Sequence, residues 1–429
     1  MRILKTRQKD FKSLFAQIIN RGLIEIETVE NTVRAILLEV KKHGDAALLR
    51  FAERFDKRVI SKAELKISEQ TIKRSREKIL KKNLSSLKAA CQRIETFHRR
   101  QLQQSWFCTE SSGVTLGQIV QPLKKVGIYV PGGKALYPSS VLMNAIPARV
   151  AGVHKIIMAS PGTGTGINPM ILAAADLCGI TDIYQVGGAH AIAALAYGTE
   201  TIPKVDKIVG PGNIYVAAAK RLVYGAVDID MIAGPSEILV ISDGSCDPAY
   251  IASDLLSQAE HDEMACTILL TPHETHARGI LKEMAAQLKR LKKRPIAARA
   301  LENHGALIVT RDISEALELA NEVAPEHLEL AVEQPWELVP HIKNAGAVFL
   351  GHYTPEAVGD YMAGPNHVLP TGGTARFFSP LSVDDFLKKT SLIYFSRDAL
   401  RAVAPDVIRL ARAESLDAHA QSVVQRLKK

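Results

Sequence analysis

Residues 125–160, KVGIYVPGGKALYPSSVLMNAIPARVAGVHKIIMAS, decide the fold. The run 125–130 is short, apolar and β-rich, and Pro131, Gly132 and Gly133 end it. A stretch at 139–153 has the length and small-residue content of a buried helix, Gly152 closes it, and a second β-rich run follows at 155–160. Two short buried strands joined by a helix form a parallel crossover, because a hairpin cannot connect parallel strands.

Working outward, the alternation continues. Asn168 and Pro169 carry the cap and first-turn signals of a helix over 169–178, and helices at 189–197 and 214–224 separate strands at 182–186, 207–209 and 237–241. A second alternating stretch follows, with helices at 248–265, 275–288 and 314–322 and strands at 266–270, 306–309 and 347–350. Upstream, 28–105 reads as helical, with Val29, Val33, Ile36, Leu37 and Val40 on one stripe and Leu87, Cys91, Ile94 and His98 on another. Phe11, Leu14, Phe15, Ile18 and Ile19 share one face of a short N-terminal helix, which predicts a docking arm, and beyond about Pro380 the chain reads as helical again. The expected class is α/β: two tandem doubly wound, incomplete Rossmann-like units with parallel sheets, a helical N-terminal arm and a small helical C-terminal domain. At 429 residues the chain exceeds what one core normally serves, about 250–300 residues.

The net charge of +9 suggests a nucleic-acid binder until it is divided. Residues 1–100 carry +13 and the remainder −4, so the excess sits on N-terminal helices such as the one bearing Lys73, Arg74, Arg76, Lys78, Lys81 and Lys82. With no groove-reading motif, these are read as solvated helix faces and no nucleic-acid partner is expected. Five cysteines without a Cys-x-x-Cys spacing argue against a disulfide framework or a thiolate metal site. No apolar run has the length of a membrane span and no cleavable leader is recognisable, so a cytoplasmic protein without membrane contact is expected.

Chemistry-bearing residues gather in a few segments. Gly162, Gly164 and Gly166 fall between a strand and a helix but miss the dinucleotide fingerprint, because Ile167 stands where its third glycine belongs. Loops at Tyr129-Val130-Pro131-Gly132-Gly133, Gly187-Gly188-Ala189-His190 and Gly210-Pro211-Gly212-Asn213 follow strands, where ligands of parallel sheets collect, although glycines also simply shape turns. Gln258 and His261 are three apart, so a helix would turn an amide oxygen and an imidazole toward one cation. Glu326 and His327 adjoin in an apolar segment flanked by Pro325, Leu328 and Leu330, the pairing of carboxylate and imidazole that general-base chemistry uses. Residues 358–373 are dense in glycine, proline, amide, carboxylate and imidazole, as site loops are, and Glu414 and His419 lie in the terminal helical region.

Taken in order, the blocks 210–213, 233–237, 257–263, 325–330, 358–371 and 414–419 resemble those of the histidinol dehydrogenase family, and the likeness runs from the Tyr129 loop to His419. The resemblance implies one zinc ion per subunit held by Gln258, His261, Asp360 and His419, substrate contacts at Ser236, Gln258, His261, Glu326, His327, Asp360, Glu414 and His419, and NAD contacts at Tyr129, His190 and Asn213. His190 departs from the pattern, which has glutamine there, and introduces a titratable ring. The implied activity is oxidation of L-histidinol through L-histidinal to L-histidine with two NAD, the last step of histidine biosynthesis, with His327 as base and Glu326 activating the water that hydrates the aldehyde. The rival use of the same metal is that of a zinc amidohydrolase or peptidase. The expected organisation is an arm at 1–20, a first α/β domain from 21–120 and 237–380 carrying the zinc and catalytic residues, a second at 121–236 carrying the NAD contacts, and a domain at 381–429 exchanged between the subunits of a homodimer with shared active sites.

Overall fold

A computed structural model describes residues 1–19, 25–132, 137–162 and 166–428. Gly133, Gly164 and the expected boundary at 20–21 lie outside the described residues. The chain forms two compact units, one of Met1–Gln101 with Leu123–Phe386 and one of Leu102–Pro122 with Leu387–Lys429.

The first unit holds two parallel sheets. In the five-stranded sheet the order is Asp182–Tyr184, Lys155–Ala159, Lys125–Tyr129, Lys207–Val209, Asp228–Ile229. Winding therefore starts in the middle, runs outward one way and then the other, and leaves a switch point between Lys125–Tyr129 and Lys207–Val209. Strand Lys125–Tyr129 is apolar on both faces because helices cover both. The helix Pro169–Leu177 begins as expected, with the Asn168 side chain accepting the Met170 N–H at 2.8 Å.

Helix Glu25–Asp56, kinked at Gly44, packs on this sheet: Val33, Leu37, Val40 and Leu48 share a core with Ile192, Leu195 and Ala218. This packing corrects the expected grouping of 21–120 with 237–380. The apolar stripe alone carries no information about which sheet it will cover.

The six-stranded sheet runs Arg2–Lys5, Gly305–Val309, Cys266–Thr271, Glu237–Ser242, His327–Ala331, Ala347–Leu350, all parallel. Its central strands repeat the winding of the first sheet, with a switch point between Glu237–Ser242 and His327–Ala331. One face carries Leu239, Ile241, Ile268 and Leu330 against Ala316, Ala320 and the arm residues Phe11 and Phe15. The opposite face carries Ile238, Val240 and Leu269 against Ile251, Leu255 and Ile280. The arm helix Phe11–Ile19 thus docks on its own chain, led there by the edge strand Arg2–Lys5, which the helical reading lacked.

The second unit contains the expected helices, Arg397–Ala413 and Asp417–Leu427, and also a three-stranded antiparallel sheet of Leu387–Phe395, Val114–Pro122 and Trp106–Thr109. Its segments come from distant parts of the sequence. The Thr390, Ile393, Tyr394 and Phe395 run was the local signal for a strand there.

Candidate active site at the N-terminal edge of the six-stranded sheet

Ala324 adopts a left-handed conformation (φ 50°), and the chain then enters strand His327–Ala331. His327 is therefore the first residue of a strand held between two others. One neighbour's first residue, Glu237, fixes the pair expected to do chemistry. The Glu237 N–H donates to Glu326 Oε2 at 2.8 Å, and the Glu237 carbonyl lies 2.8 Å from His327 Nδ1. A carbonyl only accepts, so Nδ1 carries the proton and Nε2 keeps its lone pair. Both side chains are buried. Burial pushes the His327 imidazole down from its ordinary value and the Glu326 carboxyl well up. The Glu326 shift is reinforced by the neighbouring Glu237, Glu356 and Asp360.

The metal candidates converge on the same place. Gln258, at the end of helix Pro248–Ala259, is fully buried; its Nε2 is 3.5 Å from His327 Nδ1, and its Oε1 has no hydrogen-bond partner. A buried amide oxygen left without a donor costs free energy unless something electropositive meets it. His261 follows one turn later, its N–H donating to the Gln258 carbonyl at 3.2 Å. Burial lowers the His261 pKa, opposed by the charge of Asp360. Asp360 lies 3.6 Å from His367 Nδ1. Burial would raise its carboxyl, but the His367 contact and the nearby His327 and His261 outweigh this and hold it low. The neutral imidazole of His261, the Asp360 carboxylate and the unpartnered Gln258 amide oxygen form a nitrogen and oxygen donor set suited to zinc.

Glu356 was not among the residues singled out from sequence. It opens helix Glu356–Tyr361, is buried, and places Oε1 3.7 Å from His327 Nε2. Donor atoms of His327, Glu356 and Asp360 lie within 4.8 Å of one another. Ser236 immediately precedes Glu237, and the loop from 358 to 373 is tied to the same strand because the Gly372 N–H donates to Glu237 Oε1 at 3.0 Å.

The expected NAD contacts lie at the C-terminal edge of the five-stranded sheet. Tyr129 ends its central strand and accepts the Gly188 N–H on its hydroxyl at 3.1 Å. Asn213 caps helix Ile214–Val223 by accepting from Tyr215 and Val216 N–H at 3.1 and 3.2 Å. His190 lies in the first turn of helix Gly188–Tyr197, its ring 5.6 Å from that of Phe51 and 6.1 Å from that of Phe55. Burial takes its pKa down to about 4. Burial thus favours the neutral ring at physiological pH.

Glu414 and His419 belong to the second unit. Glu414 follows helix Arg397–Ala413 and His419 lies in the first turn of helix Asp417–Leu427, both exposed.

Comparison with known proteins gives the family. A family model described as Histidinol dehydrogenase matches residues 19–427. Histidinol dehydrogenase of Geobacter sulfurreducens is 54% identical over 429 residues, covering 100% of both chains. That of Carboxydothermus hydrogenoformans is 55% identical over 401 residues, 94% of each. The crystal structure of histidinol dehydrogenase from Elizabethkingia anophelis superposes with a TM-score of 0.94 at 38% identity, covering 100% of this chain and 98% of that one. With likeness running through both sheets and the strand that opens on His327, the chain belongs to the histidinol dehydrogenase family.

Proposed function

We propose that this protein oxidises L-histidinol to L-histidine in two NAD-dependent steps at a zinc site held by Gln258, His261, Asp360 and, from a partner subunit, His419. The observation that carries the reading is His327: a buried imidazole tethered through Nδ1 to the Glu237 carbonyl, with Nε2 turned toward the buried donor set. Bound zinc supplies a Lewis acid that orients the amino alcohol and its imidazole. His327 Nε2 takes the hydroxyl proton as hydride leaves the carbinol carbon, and its neutral resting state, enforced by burial, is the form a base requires. Glu326, acting as the carboxylate, accepts a proton from the water that adds to the aldehyde, its proton affinity raised by burial, while the aldehyde oxygen takes back the proton held on His327 and leaves that ring neutral. His327 then serves again in the second oxidation. Ser236 and Glu414 complete the substrate contacts, and Tyr129, His190 and Asn213 line the NAD site.

A homodimer with shared sites is part of this reading. The sheet of the second unit is apolar and open on both sides: Phe107, Leu392 and Tyr394 on one face, Trp106, Leu116 and Ile393 on the other. Three strands with two exposed apolar faces call for a covering partner. Exchange of residues 381–429 across a two-fold axis supplies one and delivers Glu414 and His419. Among the described residues no helix is long and apolar enough to cross a membrane, and no cysteine is in a disulfide.

The test is stoichiometric. Zinc-loaded protein given histidinol and excess NAD is expected to form two NADH for each histidine, and chelation of the zinc is expected to stop it. A zinc-replete preparation that makes no NADH, or that hydrolyses amides instead, removes the assignment.

A further inference from the structure

We infer that Glu356 is a catalytic residue of the second oxidation, where its carboxyl holds the hydroxyl that distinguishes the aldehyde hydrate from the alcohol. This inference rests on the function proposed above. Its first support is geometric. His327 Nε2 and Glu356 Oε1 are 3.7 Å apart, too far for a direct hydrogen bond and close enough for one oxygen, or two on the same carbon, to reach both. The second is the state of the carboxyl itself. Glu356 is 3% exposed, and Oε2 is buried with no hydrogen-bond partner. A buried carboxyl oxygen without a donor is costly, and a site has reason to keep one where a ligand brings the donor. The third is placement. Glu356 stands in the first turn of a short helix, and among the described residues no hydrogen bond ties its carboxyl to a neighbouring N–H.

The two oxidations make different demands on this corner. The alcohol has one hydroxyl, and His327 Nε2 takes its proton. The hydrate, R–CH(OH)2, has two. In its oxidation the C–H bond breaks and the electron pair passes with hydrogen to NAD, which is reduced to NADH. One hydroxyl loses its proton to His327 and its oxygen forms the new C=O. The other hydroxyl remains on carbon as the acid, so the products are R–COOH, NADH and one proton. An acceptor for that second O–H fixes the hydrate so that its C–H points at the cofactor. Glu356 is placed to be that acceptor.

Two variants test this. Glu356→Gln keeps the shape, and Glu356→Leu removes the polar group; replacing a buried carboxyl by an apolar side chain of similar volume is tolerated by the fold. Each is given histidinol and histidinal separately with NAD. Oxidation of supplied histidinal by Glu356→Leu is expected to slow by about 10²-fold, the scale of one lost positioned hydrogen bond at a reacting centre. From histidinol, NADH is expected in a fast phase of one per active site followed by a phase slowed to the same extent. Zinc per chain and Tm are expected at or above wild type. Equal slowing of both oxidations, undiminished histidinal oxidation, or loss of zinc each overturns the inference. A wild-type enzyme that forms no NADH from histidinol overturns instead the function on which it rests.

Discussion

The loop bearing Asn213 is clamped by a buried ion pair whose removal has a calculable cost. Lys220 and Asp230 pair with side chains 2% and 1% exposed. The Gly210 carbonyl accepts from Lys220 Nζ at 3.0 Å, and the Gly210 N–H donates to Asp230 Oδ2 at 2.8 Å, so both polar groups of one residue are held. Gly210 has φ +114°, and a Cβ there would overlap the Tyr129 carbonyl oxygen, so the clamp and this close approach together register the two loops proposed to meet the cofactor. Asp230→Asn strands a buried ammonium, at about 3–5 kcal/mol. Asp230 also accepts the Met231 N–H at 2.7 Å, and the amide keeps only one of these acceptors, adding about 1 kcal/mol. At roughly 2 °C per kcal/mol for a large domain, Tm should fall by about 8–12 °C. Lys220→Met leaves a carboxylate still holding two backbone N–H groups and should cost about half as much. Urea unfolding measures the stabilities, and initial rates measure KM for NAD, expected to rise about tenfold while that for histidinol moves little, since about 1.4 kcal/mol of misplacement suffices. An Asp230→Asn variant within 1 kcal/mol of wild type, or a Lys220→Met variant that costs more, would refute the reasoning.

Other outcomes follow from the same geometry. His327→Asn should lower kcat by about 10²–10⁴ while zinc content stays at wild type, and loss of zinc would assign the ring to the metal instead. Glu326→Gln should slow conversion of histidinol to histidine more than oxidation of supplied histidinal, which hydrates in solution; equal damage would remove its role in hydration. His190, with an ordinary pKa of 6.5 unfolded and about 4 folded, makes the unfolded chain the better proton binder between those values. Its contribution is whole above pH 6.5 and is lost as pH falls toward 4, about 3 kcal/mol in all, so His190→Gln should flatten the acid limb of a urea-midpoint profile and leave KM for NAD without a new pH dependence near 7. Refolding His327→Asn and His419→Asn chains together should restore about a quarter of wild-type activity, because half the dimers are mixed and each mixed dimer has one whole site; a dead mixture of proven dimers would place His419 in its own subunit's site.

Periodicity made both parallel sheets legible because buried strands and their covering helices leave short-range marks: the Asn168 cap, the Pro169 start, the apolar runs at 125–130 and 266–270. Pairing over long distance leaves none. Strand Val114–Pro122 is completed by Leu387–Phe395 from the far end of the chain, and the partner of Arg2–Lys5 begins at Gly305. The site was legible where a residue type announces chemistry, as at Glu326, His327 and Gln258. It was not where chemistry comes from environment. Glu356 is one of many glutamates, and only its burial beside His327 distinguishes it. For His190 the residue type suggests a titrating ring, and only its burial, beside Phe51 and Phe55, shows that the neutral form is favoured.

Placement of the proposed catalytic residues at the N-terminal edge of a sheet, opposite to where ligands of parallel folds usually gather, has a reason in the connection between the sheets. The chain leaves the five-stranded sheet after strand Asp228–Ile229, at the edge where Tyr129, His190 and Asn213 stand, and enters the other at Glu237. Residues 230–236 separate the two, a span of at most about 25 Å even when fully extended. The C-terminal edge of one sheet is thereby bound to the N-terminal edge of the other, and in the function proposed above hydride donor and acceptor meet across that join. Each end of the connection is fixed by one acidic residue acting through backbone groups. Asp230 holds Gly210 in the cofactor loop and Met231 at the start of the connection. Glu237 gives its N–H to Glu326 and its carbonyl to His327, and takes the Gly372 N–H on its carboxyl. A shift at either end moves one edge alone, so this segment, together with the bond from Asn366 Nδ2 to the Met143 carbonyl at 2.7 Å, registers the two edges. Insertion of one glycine between Ala233 and Gly234 should therefore depress kcat while both halves keep their ligands; an insertion variant with wild-type kcat would show that the two edges are registered by something other than this connection.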